Sequence, residues 1–232
     1  MFIPRSLLCV RHAASTDETR HNLRSVHFEW DDARVTAVAT NGHIMAVAEA
    51  PAEPDVFPDV GQEPPRRGGH PGSQTVPADL VGRIVKAIPR QSRRTLPYCR
   101  GAFLDSGASM PGTHQVWYVH GGESAERLAE PSDLGDFPQW RQIAKRAGTG
   151  EPLEALPRGC GFNPEYLATI APIFREYAQH LQRLDPEDPR HRKAGPLNAA
   201  VFGTGEGCVT VWRAVGLPEG HALSFYLMPV RI

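Results

Sequence analysis

Between Leu23 and Ala50 the chain alternates apolar and polar residues in three runs of strand length, "LRSVHFEW", "ARVTAVAT" and "HIMAVAEA". Asp31-Asp32 and Asn41-Gly42 separate them, and Asn-Gly is a strong hairpin signal, so the stretch predicts three antiparallel strands. The preceding "PRSLLCVRHAA" predicts one short amphipathic helix, with Leu7, Leu8 and Val10 on its apolar side and Arg11 on its basic side. Residues 51–73 are dense in Pro and Gly without a period and predict a loop. After them "QTVPADLVGRIVKAI" predicts a lead-in strand and a helix begun near Pro77, with Leu80, Val81, Ile84, Val85 and Ile88 on one face. Strands are predicted around Gly101 to Leu104, Gln115 to His120 and Ala125 to Glu130.

A third unit begins near Leu156. In "GFNPEYLATIAPIFREYAQHLQRL", Asn163 is a cap and Pro164 a first helical residue. The apolar stripe is Leu167, Ile170, Phe174, Ala178 and Leu181, and Pro172 lies inside it, where it removes a backbone hydrogen bond. Strands near Ala199 to Phe202, Cys208 to Arg213 and Leu223 to Val230 follow. Lead-in, helix and meander thus occur three times, a repeat of pattern rather than of sequence. The fold class expected is α+β, with sheets on one side and helices gathered on the other. The division expected is a domain over 1–146, built of half-units 1–50 and 74–146 joined by the Pro/Gly-rich loop, and a C-terminal half-unit over 147–232.

Composition changes this picture little. With 25 basic and 26 acidic residues in 232, any contact with nucleic acid must come from a local patch. The four cysteines, Cys9, Cys99, Cys160 and Cys208, form no CxxC pair and read as reduced thiols of a cytoplasmic protein. No segment approaches the ~20 apolar residues of a membrane span. The sequence holds no Walker loop, HExxH pair or GxSxG elbow, its histidines show no ligand spacing, and no cofactor, metal or catalytic residue is expected. "GTGEG" at 203–207 reads as a hairpin turn.

Four stretches resemble, in order, motifs of the bacterial DNA polymerase III beta subunit family, the sliding clamps. "ATNGHIMAV" is similar to ATDGHRLAV, "DLGDFPQWRQI" to the interdomain FPDYRRV, "GFNPEYLATI" to GFNxxYLxDxL, and the terminal "YLMPVRI" to YxxMPMRL. The departures are Asn41 for the aspartate, Ile44 for the arginine, and a shortened stretch after Arg146. The resemblance implies a DNA-clamp fold of repeated helix-plus-meander units. It implies a non-enzymatic processivity factor of DNA replication that encircles duplex DNA. The partners implied are a DNA polymerase or other proteins with a clamp-binding motif, with a clamp loader as a further possible partner. Thr40, Gly42, His43, Met45, Tyr226, Met228 and Pro229 would wall a hydrophobic cleft for partner peptides, with core packing the alternative for Met45 and Met228. Phosphate contacts would come from "RIVKAIPRQSRR", with Arg83, Lys86, Arg90, Arg93 and Arg94, and from Arg5, Arg11, Arg175 and Arg183 on the other helices. Each of these could instead belong to a solvated helix face. Family rings hold twelve half-units, so three per chain imply a homotetramer, with a trimer of two-domain chains as second choice.

Two rival readings stay open. "CVRHAAST" and "WYVHGGES" resemble histidine-phosphatase motifs, with His12 as nucleophile, Arg11 as phosphate clamp and His120 as a second pocket residue. Against this, Ala13 stands where that motif has glycine, and the α/β alternation is missing. The other rival is an interaction protein with the clamp fold that does not encircle DNA.

Overall fold

The computed structural model describes residues 2–52, 71–87, 101–105, 113–120, 124–131, 134–146, 161–181, 198–202 and 209–228. Strand β1 (Phe2–Pro4) leads into a 3₁₀ helix, Arg5–Ala13, and then into the meander β2 (Ser25–Trp30), β3 (Arg34–Thr40) and β4 (Ile44–Pro51). Strand β5 (Gly72–Pro77) leads into helix α1 (Ala78–Ala87) and the meander β6 (Gly101–Asp105), β7 (Thr113–His120) and β8 (Ser124–Pro131). Helix α2 (Trp140–Arg146) precedes helix α3 (Pro164–Leu181), which is followed by β9 (Ala199–Phe202), β10 (Thr210–Ala214) and β11 (Ala222–Leu227).

The strands form two antiparallel sheets, one in the order β1-β6-β7-β8 and one in the order β5-β2-β3-β4-β11-β10-β9. The first two units exchange their lead-in strands, since β1 pairs with β6 and β5 with β2. The third meander joins the first edge to edge: β11 runs against β4 from Leu227 opposite Ile44 to Ala222 opposite Glu49.

One face of the seven-stranded sheet is floored by small residues. Ala37 faces Ala48 and Ala39 faces Ala46 across β3 and β4, and with Ala50 all are fully buried. The absence of bulk lets the 3₁₀ helix lie close to the sheet, with Leu7, Leu8, Cys9, Val10 and Ala13 closed off from water. At nine residues this helix is long for its type, whose runs seldom exceed 3–4 residues, so packing rather than its own hydrogen bonds holds it. It lies between α1, which buries Leu80, Val81, Ile84 and Val85, and α3, which buries Ile173, Phe174, Tyr177 and Ala178.

The α1 face is the expected one, although Ile88 lies outside the described residues. The α3 stripe is rotated from the expected one: Leu167 and Ile170 are only partly buried, and Ile173 and Tyr177 take the centre. The 3₁₀ helix packed against α3 shares one core cluster with Ile173 and Tyr177, which sets the buried centre there. The side chain of Leu181 lies outside the described set.

The opposite face carries a second apolar cluster of Val38, Met45, Val47, Val211 and Tyr226, covered by Phe137, Trp140, Ile143 and Ala144. Residues 134–146 thus form a strap across the outer side of the sheet. The motif stretch "DLGDFPQWRQI" lies in that strap from Leu134 on, and its helix was not expected from sequence.

Enlarging the alanine floor tests this packing. Ala48→Leu should lower the unfolding free energy by about 1–3 kcal/mol or more through overpacking, whereas exposed Lys86→Ala should stay within about 0.5 kcal/mol. Urea midpoints of the two variants check the contrast.

Candidate functional site

The β3–β4 hairpin closes through its own side chains. The Asn41 Oδ1 accepts the backbone N–H groups of His43 and Ile44, each at 2.9 Å, and the Thr40 hydroxyl donates to the Ile44 carbonyl at 2.6 Å. Asn41 therefore closes the turn in the way an aspartate also can. Gly42 has φ +92°, a left-handed conformation suited to glycine. A Cβ there would lie 3.5 Å from Arg20 Nη1 and 3.8 Å from Leu23 Cδ1, which places the turn over residues 20–23 beside the hairpin tip.

Two further elements reach this tip. The His43 ring stacks on Tyr166 with centroids 5.3 Å apart and planes 14° from parallel. Tyr166 is placed by the capped start of α3, where Asn163 Oδ1 accepts the Glu165 N–H at 2.9 Å and the Asn163 carbonyl accepts that of Tyr166 at 3.1 Å. Just past β11, the Met228 N–H donates to the His43 carbonyl at 3.0 Å. His43 is thus an exposed turn residue bridging the hairpin, α3 and the end of the last strand.

The expected cleft residues separate into a rim and a floor. Gly42, His43 and Met228, which is 40% exposed, lie at the surface. Thr40, Met45 and Tyr226 are buried, and Met45 and Tyr226 lie under the strap with Trp140 and Ile143. Met45 accordingly takes the core-packing alternative, because the strap covers it. Pro229 lies outside the described residues. Arg20, Leu23, Tyr166, Trp140 and Ile143 were not foreseen as site residues. Tyr166, Trp140 and Ile143 stand inside motifs that had a sequence signal, whereas nothing local marks Arg20 or Leu23.

The strap is fixed at its polar side by β2. Glu29 accepts the indole N–H of Trp140 at 3.0 Å and a guanidinium N–H of Arg141 at 2.7 Å, and its other oxygen pairs with the second guanidinium nitrogen. His27 sits beside it, with Nδ1 2.9 Å from the Thr75 hydroxyl and Nε2 3.2 Å from Glu29, and its ring stacks on Phe137 at 4.9 Å. Burial pushes the His27 pKa down, against the opposing pull of Glu29. For Glu29 burial acts upward, but the hydrogen bonds from Arg141 and Trp140 prevail and hold its pKa below the usual value.

The basic residues divide similarly. Arg83, Lys86 and Arg175 are exposed on α1 and α3, and Arg5 is half-buried. Arg90, Arg93, Arg94 and Arg183 lie outside the described residues. Arg11 differs from its expected place: its guanidinium makes two bonds to Glu176, at 2.8 and 2.9 Å, and a third to the Leu8 carbonyl at 2.9 Å. With 16% of its side chain exposed, it ties the 3₁₀ helix to α3 and is not an open phosphate contact.

The same carboxylate takes His12, whose Nε2 is 2.9 Å from Glu176 Oε2. This corrects the phosphatase alternative. A negative carboxylate occupies the place where Arg11 and His12 would have to receive a phosphate, and both sit on a helix rather than after a parallel strand. His120 belongs to the other sheet. Among the described residues no group of three or more His, Cys, Asp or Glu side chains is placed to hold a metal ion, and no helix is long and apolar enough to cross a membrane.

No protein-family model matches the chain, and no curated protein sequence matches it. Solved structures do. The beta subunit of DNA polymerase from Streptococcus pyogenes matches with a TM-score of 0.58 at 14% identity, over 100% of this chain and 64% of that one. A beta sliding clamp of C. crescentus gives 0.55 at 17% identity, and the DNA polymerase III beta subunit of Thermotoga maritima 0.56 at 13%, each over 100% of this chain and 65% of theirs. The chain therefore has the sliding-clamp fold and spans slightly less than two thirds of the length of these neighbours.

Two expectations follow from the side-chain geometry. A histidine whose folded pKa lies below its ordinary ~6.5 binds fewer protons folded than unfolded, so it adds stability above that value that is lost as pH falls through it toward the folded pKa. Urea titrations of the wild type and His27→Gln from pH 7.5 to 5 should show the wild type losing more stability on acidification. Secondly, assays with a phosphomonoester should give no turnover that is sensitive to His12→Ala.

Proposed function

We propose that this chain acts in DNA replication as a clamp-like processivity factor, holding duplex DNA against its helix face and receiving short apolar segments of partner proteins beside the β3–β4 hairpin. The observation that carries this reading is the meeting of hairpin and last strand, where the Met228 N–H bonds to the His43 carbonyl at 3.0 Å. Two stretches far apart in sequence, each resembling a cleft-forming motif of the clamps, share one rim. The exposed Met228 and the stacked His43–Tyr166 pair offer a deformable apolar and aromatic surface, which suits apolar anchors from more than one peptide.

The DNA side of the proposal rests on Arg83, Lys86 and Arg175, exposed on the helices that cover the inner face of the sheet. Of the acids on these two helices, Asp79 and Glu176 are paired with Arg24 and Arg11, and Glu165 is exposed in the first turn of α3. Phosphate contacts of this kind carry no sequence preference and weaken with salt. The protein is on this reading a cytoplasmic binding protein and not an enzyme.

For the assembly we favour a closed homotetramer, with a trimer second. On this reading the described residues form three helix-plus-meander units, and four such chains would supply the twelve of a family ring. Among the described residues β8 and β9 each end a sheet with one neighbour, and closure would pair such edges. A polymerase is the expected client, and a loader is required only if the ring closes before it meets DNA.

Retention on DNA and absolute mass test the proposal together. The chain should elute as a tetramer or trimer, stay on nicked circular DNA and slide off linear DNA. Met228→Glu should abolish binding of a labelled apolar peptide while leaving the fold intact. A monomer held equally on linear and circular DNA would overturn encirclement, and unchanged peptide binding by Met228→Glu would overturn the cleft.

A further inference from the structure

We propose that Glu29 is the positioning residue of the peptide groove, anchoring the strap so that Trp140 and Ile143 stand against Met45 and Tyr226 as its inner wall. This inference rests on the peptide-groove reading and assigns the residue that shapes the groove from a distance.

Apolar packing alone gives the strap little direction, because burial is proportional to area and indifferent to small slides. The polar contacts supply the missing register. Glu29, with 18% of its side chain exposed, receives Trp140 and Arg141 from the first turn of α2 and His27 from its own strand. Trp140 is therefore tied at its indole nitrogen while its ring enters the outer cluster. Ile143, three residues on, shares the same helix face and joins that cluster.

Across the sheet, Glu29 faces Thr36 on β3 and Ser73 on β5, whereas Met45 and Tyr226 lie on β4 and β11. Glu29 thus acts through the strap. The ionised state suits this role, since a carboxylate can serve several donors at once and bonds to a charged acceptor are the stronger ones.

The test uses the full chain with Glu29→Gln and, as a second variant on an exposed residue, Arg141→Gln. The probe is a labelled hexapeptide carrying two leucines and a phenylalanine. Both variants should speed amide exchange of residues 140–146. Glu29→Gln should weaken the peptide by about tenfold, the scale of one lost charge-assisted bond. An alanine-substituted peptide should lose less on Glu29→Gln than the parent does, because strap and peptide anchor meet in one contact. Restoring the carboxylate as Glu29→Asp should recover part of the affinity.

Unchanged exchange in both variants, or strictly additive losses in the peptide cycle, would overturn the proposal. If the wild type itself fails to bind the probe, the groove reading falls. The exchange of the strap then decides the anchor separately, faster exchange upholding it and unchanged exchange overturning it.

Discussion

The pairing of β4 with β11 is the constraint on which the rest depends. It joins the beginning and end of the chain into one sheet, through six facing pairs from Ile44–Leu227 to Glu49–Ala222. Closing so long a loop is entropically unfavourable, although the cost rises only slowly with length. Burial on both faces offsets it. Ile44, Ala46 and Ala48 meet Leu223, Phe225 and Leu227 beneath the helices, while Met45, Val47 and Tyr226 meet the strap outside. A slip by one residue would exchange the two sets and put Tyr226 where the alanine floor leaves room only for a closely packed helix.

From this joint the candidate site follows. The last strand, laid against β4, necessarily ends beside the hairpin that begins β4, so Met228 arrives at His43. The helix that precedes the third meander is drawn over the same sheet, and its capped first turn brings Tyr166 onto the His43 ring. The cationic residues of α1 and α3 are left on the side away from the sheet. The rim at the hairpin tip and the placement of α3 over the sheet thus both follow from one strand pairing.

Much of this was legible in the sequence for local reasons. Period-two alternation and the Asn41-Gly42 turn located the first meander, and Asn163-Pro164 located the start of α3. What escaped was non-local. Strand β4 is buried on both faces, so its alternation said nothing about which strand would lie beside it. The seven-residue α2 is too short for a periodic signal and is held by Glu29, far away in the chain. Arg11 looked like a phosphate contact because its partner, Glu176, belongs to another helix. Met45, expected at a cleft with core packing as the alternative, is buried, since its cover comes from the strap.

The central claim is that one rim, formed by the hairpin tip, the start of α3 and the end of β11, receives partner peptides. Amide hydrogen exchange of the full chain with and without a saturating apolar peptide tests it most directly. The account predicts slowed exchange confined to residues 41–45, 140–146, 163–167 and 226–228, with α1 and the rest of α3 unchanged. Protection elsewhere on the sheet, or none at a peptide concentration that demonstrably binds, would contradict it.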